Sequence, residues 1–202
     1  MFFDFGGVLT VGPWGAFAAY ERQQGLPEGF IRRLNATNPD TNAWACLERG
    51  QIDLATFARR FEAEAKAAGG NLDAAEMLDA LRAGSELRPE MVEAVHRCHD
   101  RLATGLLTNN FSSGTWRAGL DDLLASFDVI FESSAAGLRK PDPDFYRQGC
   151  AALGVEPTDA VFLDDLGVNL KPARQLGMQT IKVTDPDLAL AELEAAVGFP
   201  VR

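Results

Sequence analysis

Residues 2–10 read FFDFGGVLT, and residues 161–165 read VFLDD. In each segment an apolar run typical of a buried strand ends in carboxylate: Asp4 in the first, and Asp164 with Asp165 in the second. In open α/β sheets, ligands bind at the carboxyl ends of the strands. Carboxylates at that edge favour a hard cation and covalent chemistry over a packing role. The two segments therefore predict one shared active site.

The composition limits the class of protein and of partner. The chain has 202 residues, of which 47% are hydrophobic, so it can bury one core with a sizeable insertion or two small cores. Its formal net charge of −10 argues against nucleic acid or an anionic membrane as the main partner. A small anionic substrate remains compatible if a metal ion, backbone amides and a few basic side chains make a locally positive pocket. We expect a monomer or homodimer.

Cysteine use and the first residues favour a cytoplasmic location. The three cysteines are odd in number and widely spaced, which predicts neither a disulfide nor a zinc site. There is no apolar run of 18 residues, and Asp4 and Gly6 come too early for a signal peptide. Only three residues precede Asp4, whereas a central strand usually has about five, so we expect the chain to begin inside its first strand.

The pattern between residues 14 and 82 is helical throughout, with breaks at glycine and proline. The predicted helices are Ala16 to Gln24, Glu28 to Asn35, Asn42 to Glu48, Leu54 to Ala67 and Ala74 to Leu81. A helical segment that follows the first strand this closely indicates an insertion. We therefore predict a helical cap at residues 14–83 and a core domain at residues 1–13 and 84–202.

After Pro89 the pattern alternates between helices and short apolar runs. The predicted strands are Leu102 to Leu107, Phe127 to Phe131, Ala160 to Leu163 and Gln179 to Val183. The predicted helices are Pro89 to Asp100, Trp116 to Ser126, Pro143 to Leu153, Leu170 to Leu176 and Leu188 to Ala196. This alternation is typical of a parallel sheet with crossover helices, so the fold class is α/β.

Polar residues that suit phosphoryl transfer follow the predicted strands in a fixed order: Asp4, then Thr108-Asn109-Asn110, then Lys140-Pro141, then Asp164-Asp165. In this order and spacing the chain resembles the haloacid dehalogenase superfamily, whose phosphatases use four such motifs on a Rossmann-like core. Residues 132–146 and 162–174 are similar to the phosphatase domain of soluble epoxide hydrolases. Related domains occur fused to acyl-CoA dehydrogenases. The helical segment resembles the small cap of such proteins.

The resemblance implies a role for each motif. Asp4 attacks phosphorus, Thr108 donates its hydroxyl to a phosphoryl oxygen, and Lys140 opposes the charge that grows in the transition state. The expected cofactor is Mg²⁺, and its expected protein ligands are the side chain of Asp4, the backbone carbonyl of Gly6, and the pair Asp164 and Asp165. Substrate-binding roles are expected for Gly6, Asn109, Arg49 and Asn169.

Two of these substrate-binding assignments have plainer structural alternatives. Arg49 precedes Gly50 at a break between cap helices, where a glycine can simply end a helix. Asn169 matches a position that orients the metal site in the resembled family, but an asparagine at a helix start can also serve as a cap. Trp14 is a candidate to line a pocket between cap and core, although aromatic residues at helical spacing more often belong to a core.

One expected carboxylate is missing. In most phosphatases of the superfamily the residue two positions after the nucleophile is a second aspartate that protonates the leaving alcohol, and here it is Gly6. General acid catalysis contributes about 10² to 10⁴-fold, so the loss matters most for a poor leaving group. Two routes around the loss are open: the substrate carries a good leaving group, or a cap residue or water carries the proton.

Two other functions stay open. Dehalogenases of the superfamily also lack that aspartate, because halide leaves without a proton. An inactive relative that only binds phosphate is the second alternative. The pair Asp164-Asp165 favours a metal and hence a phosphatase, because metal-free dehalogenase sites do not need it.

Overall fold

A parallel five-stranded sheet forms the centre of the molecule in the computed structural model, which describes residues 1–111 and 119–202. The strands are β1 (Phe2–Phe3), β2 (Gly105–Thr108), β3 (Val129–Glu132), β4 (Val161–Asp164) and β5 (Gln179–Lys182). Their order across the sheet is β3-β2-β1-β4-β5, and every neighbouring pair is parallel. Because β1 lies in the middle, the residue that follows it is flanked by the ends of β2 and β4.

Helices cover both faces of the sheet. They are α6 (Pro89–His99), α7 (Asp121–Leu124), α8 (Ser133–Ala136), α9 (Pro143–Leu153), α10 (Gly167–Gln175) and α11 (Pro186–Val197). Successive strand residues point to opposite faces. Phe3 of β1 therefore packs with α6 and α11, whereas Phe2 packs with α9 and α10. Strands covered on both faces are expected to be apolar, as β1 is throughout and β2 is up to its last residue, Thr108.

Between β1 and α6 the chain forms a separate group of helices. They are α1 (Trp14–Gln23), α2 (Phe30–Ala36), α3 (Ala43–Glu48), α4 (Leu54–Ala67) and α5 (Ala74–Ala83). These helices share their own apolar cluster, in which the rings of Phe57 and Phe61 stack at 5.1 Å. The buried carboxylate of Glu21 accepts hydrogen bonds from the backbone N–H groups of Gly29 and Ile31 at 2.7 and 2.8 Å. The predicted α/β fold with helices inserted after the first strand is thus confirmed.

Some predicted element bounds differ from the structure. The predicted helix from Trp116 to Ser126 falls partly on residues 112–118, which lie outside the described residues, and α7 ends at Leu124. The carbonyl of Ser126 is instead held by the hydroxyl of Thr104 at 2.7 Å, which ties this segment to the start of β2. Helix α10 begins three residues before the predicted Leu170.

Two further observations concern cysteines and membranes. Cys46, Cys98 and Cys150 are buried and free, and burial raises the pKa of Cys98 and of Cys150 to about 11. Within the described ranges no helix combines the length and the apolar character needed to cross a lipid bilayer.

The contact between β1 and β2 gives a stability prediction. Gly105 pairs with Phe2, and a Cβ added at Gly105 would overlap the Phe2 ring. We expect Gly105→Ala to destabilise the protein by about 1–3 kcal/mol, the usual cost of overpacking a core, as measured by urea unfolding. Gly15→Ala in helix α1 is the matched control, because no described residue beyond its chain neighbours comes within 4 Å of a Cβ there. It should stabilise by about 0.5–1 kcal/mol, and an equal effect of both substitutions would contradict the packing argument.

Candidate active site

Asp4 is the first residue beyond β1 and lies at the carboxyl edge of the sheet. Its backbone N–H donates to the carbonyl of Leu163 at 2.9 Å, which fixes it beside β4. Its carboxylate accepts from the N–H of Phe5 at 2.7 Å and so begins the wide turn formed by Phe5–Leu9. The residue is 7% exposed, so its carboxylate is buried and needs partners.

The main partner of Asp4 is Lys140. The Nζ atom of Lys140 lies 2.7 Å from Oδ1 of Asp4 and 2.7 Å from Oδ2 of Asp164, and the lysine side chain is 1% exposed. Burial alone would lower the pKa of Lys140, but attraction to Asp164 and Asp4 outweighs burial and raises the pKa. Lys140 is therefore a protonated cation held between two carboxylates that come from opposite ends of the chain.

Asn109 holds the backbone of Lys140. Its side-chain NH₂ donates to the Lys140 carbonyl at 3.0 Å, and its side-chain oxygen accepts from the Lys140 N–H at 2.8 Å. Both polar atoms of this carboxamide are thus engaged by the lysine. Thr108, the last residue of β2, is buried at the same edge of the sheet. Asn109 thus supports the backbone of Lys140. Its predicted contact with substrate stays a prediction.

A second set of hydrogen bonds orients Asp164. The side-chain NH₂ of Asn169 lies 3.0 Å from both carboxylate oxygens of Asp164, and the backbone N–H of Leu166 donates to Oδ1 at 2.8 Å. The buried hydroxyl of Tyr146 in turn donates to the Asn169 carbonyl at 2.7 Å. Asn169 therefore holds the carboxylate of Asp164, and its predicted roles in substrate binding and in orienting a metal site stay predictions.

Asp165 lies against the turn that follows Asp4. Gly7 has a φ of 78°, and a Cβ there would come within 2.5 Å of Asp165 Cγ. Glycine is thus needed at position 7 both for the backbone conformation and for the close approach. Burial and the nearby charge of Asp164 raise the pKa of Asp165 to about 6.

The three carboxylates form a group that suits a small divalent cation. Asp4, Asp164 and Asp165 each offer an oxygen, and these oxygens lie within 4.8 Å of one another. With all three ionised and Lys140 protonated, the buried group has a surplus of two negative charges. Burial and the two aspartates raise the pKa of Asp4, and Lys140 only partly offsets them. A donor set made of oxygen with excess negative charge fits Mg²⁺.

Gly6 leaves open space beside this group. Its φ and ψ of −71° and 126° are accessible to any residue. Among the described residues, leaving out the chain neighbours, no atom lies within 4 Å of a Cβ built there. A Cβ at position 6 would therefore fit against the described residues without moving the backbone, and glycine has no side chain to give a proton to a leaving group.

Arg49 is placed away from the carboxylates. It ends helix α3, and its described hydrogen bonds go to the Asp40 carbonyl at 2.6 Å and to Gln51 Oε1 at 3.1 Å, both among the inserted helices. Among the contacts of the described residues, none joins Arg49 to Asp4 or to Lys140. Its predicted role in substrate binding stays a prediction.

Glu48, just before Arg49, makes the contact between α3 and the sheet domain. Its carboxylate lies 2.6 Å from Nε of Arg139, the residue before Lys140. Its backbone carbonyl accepts from the Ser133 hydroxyl at 2.6 Å. The sequence analysis missed Glu48 and Arg139 because they meet across a long chain separation. Their residue types and spacing carry no signal of such a contact.

A comparison with known protein families assigns the chain to one of them. The model of the family described as haloacid dehalogenase-like hydrolase matches residues 1–177. The chain belongs to this family. It is accordingly a hydrolase with the family's α/β fold.

Curated relatives share sequence with nearly the whole chain. It is 34% identical over 203 residues to acyl-CoA dehydrogenase family member 10 of Mus musculus, covering 98% of this chain and 19% of that protein. It is 33% identical over 215 residues to bifunctional epoxide hydrolase 2 of Mus musculus, covering 98% and 39%. The predicted resemblances are therefore confirmed, and the chain spans about a fifth to two fifths of the length of these two relatives.

One relative has a similar length. The chain is 34% identical over 194 residues to a phosphatase of Mycobacterium tuberculosis (strain CDC 1551 / Oshkosh), covering 90% of this chain and 85% of that protein.

Solved structures show the same fold. A HAD family enzyme from Bacteroides thetaiotaomicron, in complex with magnesium and inorganic phosphate, aligns with a TM-score of 0.66 at 17% identity, covering 91% of this chain and 94% of that chain. An L-2-haloacid dehalogenase from Xanthobacter autotrophicus aligns with a TM-score of 0.64 at 20% identity, covering 96% and 81%.

The raised pKa of Asp165 gives a prediction about pH. A folded-state pKa of about 6, above the unfolded value of about 3.9, means that ionised Asp165 destabilises the metal-free fold. This group therefore contributes most to stability below about pH 4, and that contribution is lost as the pH rises through about 6.

We expect Asp165→Asn to stabilise the protein in EDTA at pH 7.5. The gain should be on the order of 1–2 kcal/mol, less than the full equivalent of the pKa shift because solvent screens the partly exposed side chain. It should shrink toward zero near pH 4. Thermal unfolding of both proteins across this pH range is the measurement, and a variant less stable than the native chain at pH 7.5 would contradict the burial argument.

Proposed function

We propose that this hydrolase is a Mg²⁺-dependent phosphatase that acts on a small organic phosphate through an aspartyl-phosphate intermediate. The observation that carries the proposal is the contact of Lys140 with both Asp4 and Asp164 at 2.7 Å, beside a third carboxylate from Asp165. This arrangement supplies a nucleophile, a fixed cation and an all-oxygen metal site within one buried group.

Asp4 performs the covalent step. One of its carboxylate oxygens attacks phosphorus, the bond from phosphorus to the leaving oxygen breaks, and the leaving alkoxide takes up a proton. Water then attacks the phosphorus of the aspartyl-phosphate, the bond to Asp4 breaks, and inorganic phosphate leaves with the carboxylate regenerated. Splitting the displacement in this way replaces one difficult step by two easier ones.

The remaining residues hold charge and geometry. Lys140 stabilises the negative charge on the phosphoryl oxygens, and Thr108 donates its hydroxyl to one of them. Asn109 keeps the Lys140 backbone in place, and Asn169 keeps Asp164 oriented toward the lysine.

Asp4, Asp164 and Asp165 would hold the Mg²⁺, with the backbone carbonyl of Gly6 as a further ligand. A bound Mg²⁺ would neutralise the repulsion between the Asp4 carboxylate and a phosphate dianion. Because the Gly6 ligand is a backbone oxygen, the absence of a side chain at position 6 does not remove it.

The relatives support a phosphatase. One of them, from Mycobacterium tuberculosis, is named a phosphatase and spans almost the same length as this chain. The structural neighbour from Bacteroides thetaiotaomicron holds magnesium and inorganic phosphate.

The charge of the site argues against dehalogenation as the main activity. The fold is shared with an L-2-haloacid dehalogenase, so the fold alone does not separate the two reactions. Three clustered carboxylates, two of them buried, with one lysine, however, leave a negative surplus that would repel a haloacid carboxylate unless a cation were bound. A metal-dependent reaction on a phosphate removes that repulsion.

We also propose that residues 14–83 act as a cap over a core formed by residues 1–13 and 84–202. The inserted helices pack among themselves, and α3 meets the core through Glu48 and Arg139 next to Lys140. Substrate selection is then a property of the cap surface that faces the carboxylates.

The direct test measures phosphate release from a panel of sugar, acyl and aryl phosphates. We expect turnover that requires Mg²⁺ and that falls in Asp4→Asn by a factor on the order of 10³ or more, because the nucleophile is lost. EDTA should abolish it. Halide release from 2-haloacids in EDTA would instead support the dehalogenase, and phosphate binding without turnover would support an inactive relative.

The open space at Gly6 gives a second prediction. We expect Gly6→Asp to raise kcat/KM for alkyl phosphates by about 10² to 10⁴-fold, because it supplies the acid that a basic alkoxide needs. Gly6→Asn is the matched control, since it has nearly the same size but no proton to give. An equal response of both variants, or no gain with Gly6→Asp on a folded protein, would show that the proton takes another route.

A further inference from the structure

The inserted helices meet the sheet domain next to Lys140, through the ion pair of Glu48 and Arg139. Oε2 of Glu48 lies 2.6 Å from Nε of Arg139, and the two side chains are 11% and 20% exposed. Solvent therefore screens their attraction only weakly. The two atoms meet without an aligned hydrogen bond between them, so the contact depends on charge, and a neutral side chain at either position removes it.

The described contacts of the Arg139 guanidinium both go to the inserted helices and their connections. Besides the contact of Nε with Glu48, Nη1 donates to the carbonyl of Pro39 at 2.9 Å. Pro39 lies in the segment between α2 and α3, and Glu48 is the last residue of α3. This arginine of the sheet domain is thus held at two points of the proposed cap.

Glu48 is itself fixed on two sides. Its Oε1 accepts from the indole N–H of Trp44 at 2.9 Å, and the Trp44 ring packs edge-on against Phe57 of α4 with centroids 5.7 Å apart. Its backbone carbonyl accepts from the buried hydroxyl of Ser133 at 2.6 Å. The carboxylate that faces Arg139 therefore belongs to a well-packed part of the cap.

Lys140 is the next residue along the chain. Its Nζ lies 2.7 Å from the carboxylates of Asp4 and Asp164, and its backbone is held by the side chain of Asn109. Because Arg139 and Lys140 share a peptide bond, a shift of the arginine moves the backbone of the lysine. The ion pair thus restrains the lysine from the side of the cap.

We propose that Glu48 is a positioning residue for Lys140, acting through its ion pair with Arg139. This inference rests on the proposed function, in which the lysine stabilises charge on the phosphoryl oxygens. While the cap is docked, the ion pair holds the backbone just before the lysine. When the cap moves away, Arg139 loses its carboxylate and Lys140 keeps only its contacts within the core. Docking of the cap then completes the arrangement of the lysine for reaction.

The first test is Glu48→Gln, which keeps an oxygen for the Trp44 indole and removes the charge that faces Arg139. We expect kcat for para-nitrophenyl phosphate with Mg²⁺ to fall about 10-fold or more, with a smaller change in KM, because a misplaced lysine mainly weakens an interaction with charge that develops in the transition state. A rise in KM at unchanged kcat would instead assign Glu48 to substrate capture and would overturn the positioning role.

A double-mutant cycle shows whether Glu48 acts through Arg139. The variants are Glu48→Gln, Arg139→Gln and the combination of both. We expect the double variant to lose no more kcat than Arg139→Gln alone, because the interaction is already absent in the single variant. Losses that multiply in the double variant would show that the two residues act independently, which contradicts the proposal.

The Lys140 ammonium gives a readout that needs no turnover. The other lysines, Lys66, Lys171 and Lys182, are exposed, so Lys140 alone should give an ammonium NMR signal whose protons exchange slowly with water. We expect this exchange to become several-fold faster in Glu48→Gln, because the backbone next to the lysine opens more readily.

Glu21→Gln is the matched control for the stability of the cap. It also neutralises a buried carboxylate of the inserted helices, one that accepts from the N–H groups of Gly29 and Ile31. It should lower the unfolding temperature and leave both kcat and the exchange of the Lys140 ammonium within about twofold of the native values. Equal effects of Glu21→Gln and Glu48→Gln would assign both to cap stability and would overturn the positioning role.

The two readouts separate this inference from the proposed function. If the native chain hydrolyses phosphate esters and Glu48→Gln matches its kcat, the positioning role is wrong while the phosphatase stands. If the native chain hydrolyses none, the proposed function is wrong, and the ammonium exchange decides whether the ion pair holds Lys140. Faster exchange in Glu48→Gln than in Glu21→Gln supports that hold, and equal exchange in the two variants overturns it.

Discussion

The buried ammonium of Lys140 is the constraint on which the rest of the site depends. It is 1% exposed and lies 2.7 Å from carboxylates that belong to residues 4 and 164. A buried charge without partners costs several kcal/mol, so the loop before α9 and the ends of β1 and β4 must meet at this point. The two-residue strand β1 is held between β2 and β4 and places its carboxylate there. Packing of the sheet and chemistry of the site thus require the same arrangement.

Much of this arrangement could be predicted from the sequence. The residues Asp4, Thr108 and Asp164 end apolar runs, and parallel strands bring their carboxyl ends to one edge of the sheet, so local pattern was enough to group them. Helices α4 and α9 have the predicted bounds because a residue that starts a helix, Asp53 or Asp142, and a following break mark both ends. The end of the helix near Ser126 was predicted wrongly because a tertiary hydrogen bond from Thr104 decides it.

The contacts between the inserted helices and the sheet could not be predicted in this way. Glu48 contacts Arg139 across about 90 positions of sequence, whereas helical periodicity reports only on neighbours three or four residues apart. The same limit applies to the hydrogen bonds by which Asn109 holds the backbone of Lys140, whereas its predicted contact with substrate stays a prediction. The sequence pattern predicts which residues lie at the site. Which of those residues holds another in place, as Asn109 holds Lys140, depends on three-dimensional packing.

The empty space beside Gly6 has a consequence for how such a hydrolase can diversify. A glycine codon that ends in T or C becomes an aspartate codon by one base change, and here the backbone at that position already has a conformation open to every residue, with no atom of the described residues within 4 Å of a new Cβ. In the proposed mechanism, proton donation to the leaving group is therefore separable from the nucleophile, the lysine and the acidic pair. On that proposal a single substitution changes which leaving groups the site expels and leaves the backbone as it is.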